Sequence, residues 1–454
     1  MQTDDVLDPL DTKPLRLHRL WYVPGCVLSI MSLVIEQPLL FLAALFALVI
    51  ACVPAWWYRY ALRSLEARQQ VHPQRLFFGE DVALTVTIEN QKRLPLIGLA
   101  CQVPLRPPLP FFSLQEAQRE TLGAIDYVGS LWGFERTTRR YHLRCFGRGF
   151  YMVGPFTLEI SDPFGWMKRR ITLPLYDTLL VYPPLASLED LGLPGLHLMG
   201  EAHTTHGLFE DPLYVVGVRE YQLDDDPRRI HWKTSARAGE LRSKVYEYSY
   251  QRRVLVILEM GTPEKTLVAL SWEMQEFAIA VAASVAIYSL DEGYMVGLLT
   301  NCAALTGREL SGQTVGQAKQ HWGEPGMAAD LVPEGIYVPF DRDAGQYERL
   351  LTTFARLVPY LNVPMEEVLE RQDEIFTRGT SVILVSAVQT LSPVTIERLQ
   401  EVRSKGSVVQ CVLVGDQDML TLAEAVDFPI YAVGGSERWH ALIHAIANER
   451  RAPD

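Results

Sequence analysis

The 454-residue chain has no G-x-x-x-x-G-K-[ST] loop, no G-x-G-x-x-G turn, no G-x-S-x-G elbow and no H-E-x-x-H helix. Each absence removes the physical apparatus of one chemistry: nucleotide hydrolysis, dinucleotide binding, serine hydrolysis and zinc proteolysis respectively. Positive charge is also short. A net charge of -12 argues against nucleic acid as a partner, because neutralising a polyanion needs a basic surface that releases counterions. Cysteine is sparse: Cys26, Cys52, Cys101, Cys145, Cys302 and Cys411 include no C-x-x-C and no zinc-ligand spacing. Cys101 and Cys145 fall within one β region and could bridge only in an oxidising compartment.

Long apolar runs are present. Residues 20–35 and 39–57 carry no charge and are separated by Glu36, Gln37 and Pro38. A span needs ~20 apolar residues, so the pair reads as a transmembrane helical hairpin over 20–57, preceded by a cytoplasmic segment over 1–19. A cleaved signal peptide would not be followed at once by a second apolar run. Lys13, Arg16 and Arg19 precede the pair, and Arg59, Arg63, Arg68 and Arg75 follow it, which places both ends in the cytoplasm. The expected localisation is the cell membrane, multi-pass, with the lipid bilayer as a partner and soluble domains in the cytoplasm.

At ~150 residues per domain the length allows about three units. Short alternating runs such as 81–90, 137–145, 149–160 and 177–184 predict an antiparallel β-sandwich of immunoglobulin-like topology over 70–183. Residues 104–135, rich in Pro and Phe with little periodicity, read as an excursion between strands. From 252 to 449 apolar strand-like runs (254–260, 294–300, 381–387, 408–415) alternate with helical ones, predicting a C-terminal α/β domain around a parallel sheet. The 14-residue run 277–290 is too short to span and reads as a helix buried against that sheet. Residues 301–335 read as a surface insertion. The expected fold class is therefore α+β multidomain.

Between these domains, in the segment 184–251, the stretch 219–241 packs charge beside Tyr221, Ile230 and Trp232. Asp226 and Pro227 suit a helix cap and first position, and Gly239 suits a stop, predicting about three turns across 228–237 with Ile230 and Trp232 buried. Its charges nearly cancel and it offers no nucleophile with a base, so a charge-paired docking or structural element fits better than catalysis. His203 with His206, and His440 with His444, lack a third ligand at useful spacing.

Arg219, Glu220, Tyr221, Asp225, Arg229, Ile230, Trp232, Ala236 and Arg237 match the signature of the bacterial family called domain of unknown function 58, and the chain resembles that family. Asp224 stands where the family has glycine. The stretch 148–166 resembles its Arg-Gly-x-Tyr and Asp-Pro-Phe-Gly elements. The resemblance implies a membrane hairpin, a β domain, a C-terminal domain like von Willebrand factor A, and a MoxR-type AAA+ ATPase as partner. Candidate partner-binding residues are Arg219, Glu220, Tyr221, Asp225, Arg228, Arg229, Trp232 and Arg237. A von Willebrand A domain holds Mg²⁺ through Asp-x-Ser-x-Ser, whereas the corresponding positions here are Glu259, Met260, Gly261, Thr262 and Pro263. Both serines give way to residues without a side-chain oxygen, so no metal and no cofactor are expected. The function expected is a non-enzymatic membrane-anchored adaptor working with that ATPase. The alternatives are a metal-dependent von Willebrand A-type binding domain and a cell-envelope hydrolase.

Overall fold

The computed structural model describes residues 17–61, 63–112, 119–162, 165, 168–193, 210–222, 225–248, 253–261, 272–305, 335–377, 379–387, 391–415 and 426–449. The chain divides into two compact units, with the main boundary between Tyr182 and Pro183.

The first unit begins with two helices, α1 (Leu17–Ile35) and α2 (Pro38–Tyr60), joined through Glu36 in the left-handed region at φ 54°. Their close approach rests on small residues. Ala44 is fully buried, and a Cβ added at Gly25 would lie 3.4 Å from the Leu48 side chain. The transmembrane hairpin expected at 20–57 is overturned: among the described residues no helix is long and apolar enough to cross a membrane. Two features account for the shortfall. α1 carries Pro24 internally, and the carboxyl end of the second apolar run is committed elsewhere, with Trp57 (3 % exposed) and Ala61 buried in the β core that follows.

That core lies among ten strands: β1 (Leu65–His72), β2 (Arg75–Leu76), β3 (Asp81–Asn90), β4 (Leu96–Phe112), β5 (Arg119–Leu131), β6 (Arg136–Arg144), β7 (Gly149–Val153), β8 (Phe156–Ser161), β9 (Lys168–Leu173) and β10 (Asp177–Val181). One sheet is ordered β1-β3-β6, and the other β2-β10-β7-β4-β8-β9 with β5 paired to β4. Alternate residues of β3 and β8 point into the core, where Ile88, Leu99, Phe156 and Leu158 are buried. The supposed excursion at 104–135 is mostly β4 and β5, an antiparallel pair from Leu96↔Leu131 to Phe112↔Arg119. Proline hid it, because the prolines of β4 are accommodated by a register shift between Pro104 and Leu109 and not by a break.

The second unit contains β11 (Glu210–Glu220), α3 (Trp232–Ala238), β12 (Arg242–Tyr248), β13 (Arg253–Glu259), α4 (Trp272–Asp291), β14 (Met295–Thr300), β15 (Cys302–Ala304), β16 (Ile336–Asp341), α5 (Ala344–Arg356), β17 (Leu357–Asn362), α6 (Met365–Arg371), β18 (Thr380–Ser386), α7 (Pro393–Ser404), β19 (Val408–Val414), β20 (Ile430–Gly434) and α8 (Ser436–Glu449). Its main sheet is ordered β16-β14-β13-β18-β19-β20, parallel except for the edge strand β16. Both faces are covered. Val254, Val256 and Leu258 of β13 pack in one cluster with Phe277 of α4, Phe354 of α5 and Trp439 of α8. Leu255 and Ile257 pack in another with Val368 of α6 and Leu399 and Val402 of α7. Burial on both sides is why these strands read as unbroken apolar runs.

All six cysteines are free; Cys26 and Cys52 are exposed, and the other four are buried. Burial pushes the Cys101 thiol up to about 11 and that of Cys145 up to about 12, far from the thiolate needed for reaction. Iodoacetamide at pH 8 should therefore modify Cys26 and Cys52 in the folded chain and spare the other four. Mass spectrometry reporting alkylation at Cys101 or Cys145 before unfolding would contradict that burial.

Candidate functional site

The signature segment is a hairpin of β11 and β12 whose ends converge on an interlocked turn. Arg219 pairs with Ser243 and Glu220 with Arg242 across the ladder. Beyond it the Tyr221 amide donates to Leu241 O at 3.0 Å, and the Tyr221 hydroxyl donates to Asp225 O at 2.9 Å. The Asp225 carboxylate accepts from the Gln222 amide at 3.0 Å and from the Arg219 guanidinium. The Gln222 amide first, and the Arg219 hydrogen bond with it, hold the Asp225 carboxyl below its ordinary range. Arg219, Tyr221 and Asp225 thus form one brace.

The expected three-turn helix is split. Asp226 caps only a 3-10 turn, Pro227–Arg229, by accepting from the Arg228 amide at 2.9 Å. Ile230 then turns extended, bridges to Ser243 and is buried. A new helix, α3, starts with His231 as its cap, whose Nδ1 accepts from the Thr234 amide at 3.2 Å. The Ser235 hydroxyl donates to His231 O at 3.1 Å and accepts from the Arg242 amide at 2.9 Å, fastening α3 to β12. Gly239 ends it in the left-handed region at φ 72°, as a stop residue should.

The break re-aims Trp232. Expected as a buried anchor, its indole is 68 % exposed, because the extended Ile230 separates it from the helical register that would have turned it inward. Arg228 is exposed on the 3-10 turn, Lys233 and Arg237 are exposed on α3, Glu220 is exposed on the strand, and Arg229 is half-buried. The structure therefore divides the predicted residues into a brace of Arg219, Tyr221 and Asp225 and a set of exposed side chains, Arg228, Trp232 and Arg237. The turn position Asp224, and His203 with His206, lie outside the described residues.

A second place of interest is the carboxyl edge of the parallel sheet, where β14 and β18 flank β13 on opposite sides and create a topological switch point. Glu259 ends β13 with 6 % exposure, in register with Ser386 of β18, and the Ala387 amide donates to Glu259 O at 3.3 Å. Asn301, fully buried, staples this edge. Its Nδ2 donates to Met260 O at 2.8 Å and to Val363 O at 2.9 Å, while its Oδ1 accepts from the Met260 amide at 2.9 Å. Asn362 Nδ2 donates to Gly261 O at 2.6 Å. Among the described residues no three or more His, Cys, Asp or Glu side chains gather as a metal could require, and His440 pairs with Glu273 at 3.2 Å. Motif reasoning passed over Asn301 and Asn362; the available signal was an amide directly closing an apolar run.

Comparison with known proteins gives little beyond the signature. An "Uncharacterized protein YeaD" of Bacillus subtilis (strain 168) is 24 % identical over 277 residues, 58 % of this chain and 61 % of that protein. The chain thus spans 61 % of the length of that relative. Among solved structures, the sporulation control protein Spo0M of Bacillus subtilis is 14 % identical, with 29 % of this chain and 54 % of that chain covered and a TM-score of 0.18. A β-glucosidase from Listeria innocua in complex with gluconolactone is 14 % identical, with 26 % of this chain and 16 % of that chain covered and a TM-score of 0.16. Likeness this slight carries no inference about fold or activity. Residues 217–309, which open within β11 and include the brace, α3, β13 and Asn301, match the family described as "Protein of unknown function DUF58".

Proposed function

We propose that the chain is a non-enzymatic, membrane-associated adaptor that presents its signature hairpin to a partner protein, a MoxR-type AAA+ ATPase being the partner the family resemblance implies. The observation that carries this reading is the exposed Trp232 on α3, a helix capped by His231 and fastened to β12 through Ser235. Tryptophan and arginine are the residues most often dominant at interfaces, and a rigid presenting element reduces the ordering cost of binding. The α/β unit, like von Willebrand A in the same reading, serves as the frame on which the hairpin is held. The helical pair supplies the lipid contact: Val27, Ile30, Val34, Phe41 and Phe46 are each at least half exposed, an apolar surface that favours leaving water. The soluble domains belong in the cytoplasm, where buried free thiols such as Cys101 and Cys145 stay reduced.

The test is Trp232→Ala in the full chain, with binding to the organism's own MoxR-type ATPase measured by calorimetry. Removing an interface tryptophan costs ~2–4 kcal/mol, or about 30- to 1,000-fold in affinity. Removing an exposed side chain changes stability by only ~0.5 kcal/mol. Binding should fall while the melting temperature holds. Unchanged affinity, or no binding by the wild-type chain, would defeat the ATPase assignment.

A further inference from the structure

Beyond the helical pair, the first unit exposes a second set of large apolar side chains. Trp132 is 72 % and Phe134 67 % exposed, on the turn between β5 and β6. That turn is tightly built. Asn90 Nδ2 donates to Trp132 O at 2.8 Å, the Phe134 amide donates to Lys92 O at 3.1 Å, and the Trp132 amide donates to the Glu135 carboxylate at 2.6 Å. A Cβ at Gly133 would lie 2.6 Å from Arg93 O, so the two loops touch backbone to backbone. Phe134 sits at φ 62°, a region that a bulky residue occupies at a cost and that glycine or asparagine would fill more easily. A large aromatic side chain held outward at a strained position points to a use for that side chain.

The same end of the sandwich meets the carboxyl terminus of α2. Lys92 Nζ donates to Ala61 O and, at 2.8 Å, to Arg63 O, and the Gln91 amide donates to Ser64 O at 3.0 Å. Three segments therefore converge: 63–64, 90–94 and 132–136. They carry four cations, Arg63, Lys92, Arg93 and Arg136, against one anion, Glu135, in a chain whose net charge is -12. Arg63, Arg93 and Arg136 are exposed. Tryptophan and phenylalanine with arginine beside them, in the unit that also carries an apolar helical surface, are the composition that settles at a bilayer interface. The rings favour the headgroup level, and the guanidinium groups meet lipid phosphate.

We propose that this end of the sandwich is a lipid-docking surface, with Trp132 and Phe134 entering the headgroup region and Arg63, Arg93 and Arg136 engaging anionic phosphates. It rests on the reading that the helical pair contacts lipid, and it adds a second contact that fixes which end of the sandwich faces the membrane. The opposite end, at Gln74, lies about 30 Å away along the ten-residue β3, given ~3.4 Å per residue.

The full chain, with Cys26→Ser and Cys52→Ser, would carry a single fluorescent label at Phe134→Cys, Trp132→Cys, Val27→Cys or Gln74→Cys. Each would be mixed with vesicles of phosphatidylcholine, alone or with phosphatidylglycerol, containing a lipid with a shallow nitroxide. Quenching is expected at 132, 134 and 27 but not at 74, and at 132 and 134 it should grow with phosphatidylglycerol. Arg93→Glu with Arg136→Glu should abolish that growth. Quenching at 27 with none at 132 and 134 overturns the docking surface while sparing the helical contact. Absence at every position removes lipid association and the proposal with it. Cross-linking of two chains through Phe134→Cys in place of quenching would assign the patch to self-association and overturn the proposal equally.

Discussion

Asn301→Ala is expected to destabilise the chain by about 3–5 kcal/mol, although it removes only a small polar side chain. The side chain is fully buried and makes three hydrogen bonds to backbone groups, two to carbonyls and one to an amide, joining the ends of β13 and β17. Truncation leaves the Met260 amide, Met260 O and Val363 O without those partners, and each buried orphan costs ~1–3 kcal/mol. Not every cost is realised, since the edge can relax and admit water. Asn301→Asp is the sharper variant. It keeps the acceptor for the Met260 amide but sets a carboxylate oxygen against two carbonyls, so it should be as damaging near neutral pH. Protonation restores one donor, so its deficit should shrink as pH falls. Urea unfolding of both variants across pH measures this. A loss under ~1 kcal/mol for the alanine variant would mean that the edge does not depend on the staple.

Asn301 also marks where sequence reading reaches its limit. The apolar runs at 254–260, 294–300, 381–387 and 408–415 coincide with β13, β14, β18 and β19, because burial on both faces of a parallel sheet leaves a contiguous chemical record. The edge strand β16 and the short pair of β15 and β17 left no comparable record. Half-exposed short strands need only partial apolar character, and pairing there is set by neighbours distant in sequence. The brace of Arg219, Tyr221 and Asp225 was legible as a charged motif, but its sense was not. Charge pairing within the turn and charge presented outward look alike until the backbone path is known.

Trp232 shows why a local pattern misled. Asp226, Pro227 and Gly239 are sound cap and stop residues, and the structure uses all three. What the sequence did not declare is that Ile230 pairs with Ser243, a strand contact that interrupts the helix and rotates every later residue. The apolar runs at the amino end posed a different problem. Their length forecasts two helices but overstates their reach, since adjacent tryptophans meet opposite fates: Trp56 is 55 % exposed and Trp57 3 %.

Those two tryptophans supply the second large effect. Trp57→Ala should cost about 3–5 kcal/mol, as other buried aromatic truncations do, because its indole packs in the β core of the first unit with Ala61 and Leu65. Trp56→Ala should be nearly neutral, within ~0.5 kcal/mol, since the ring is 55 % exposed, lies outside that core and meets Tyr60 in a tilted contact at 5.3 Å. The contrast tests whether α2 is continuous with the β core or merely tethered to it. If continuous, loss of Trp57 also loosens the helix end that Lys92 caps, and Arg63 should become an early tryptic site in the Trp57 variant alone. Denaturant midpoints in detergent and a tryptic time course provide the two readouts. Equal losses for the two variants, or equal cleavage at Arg63, would show that the helix end is not anchored in the β core.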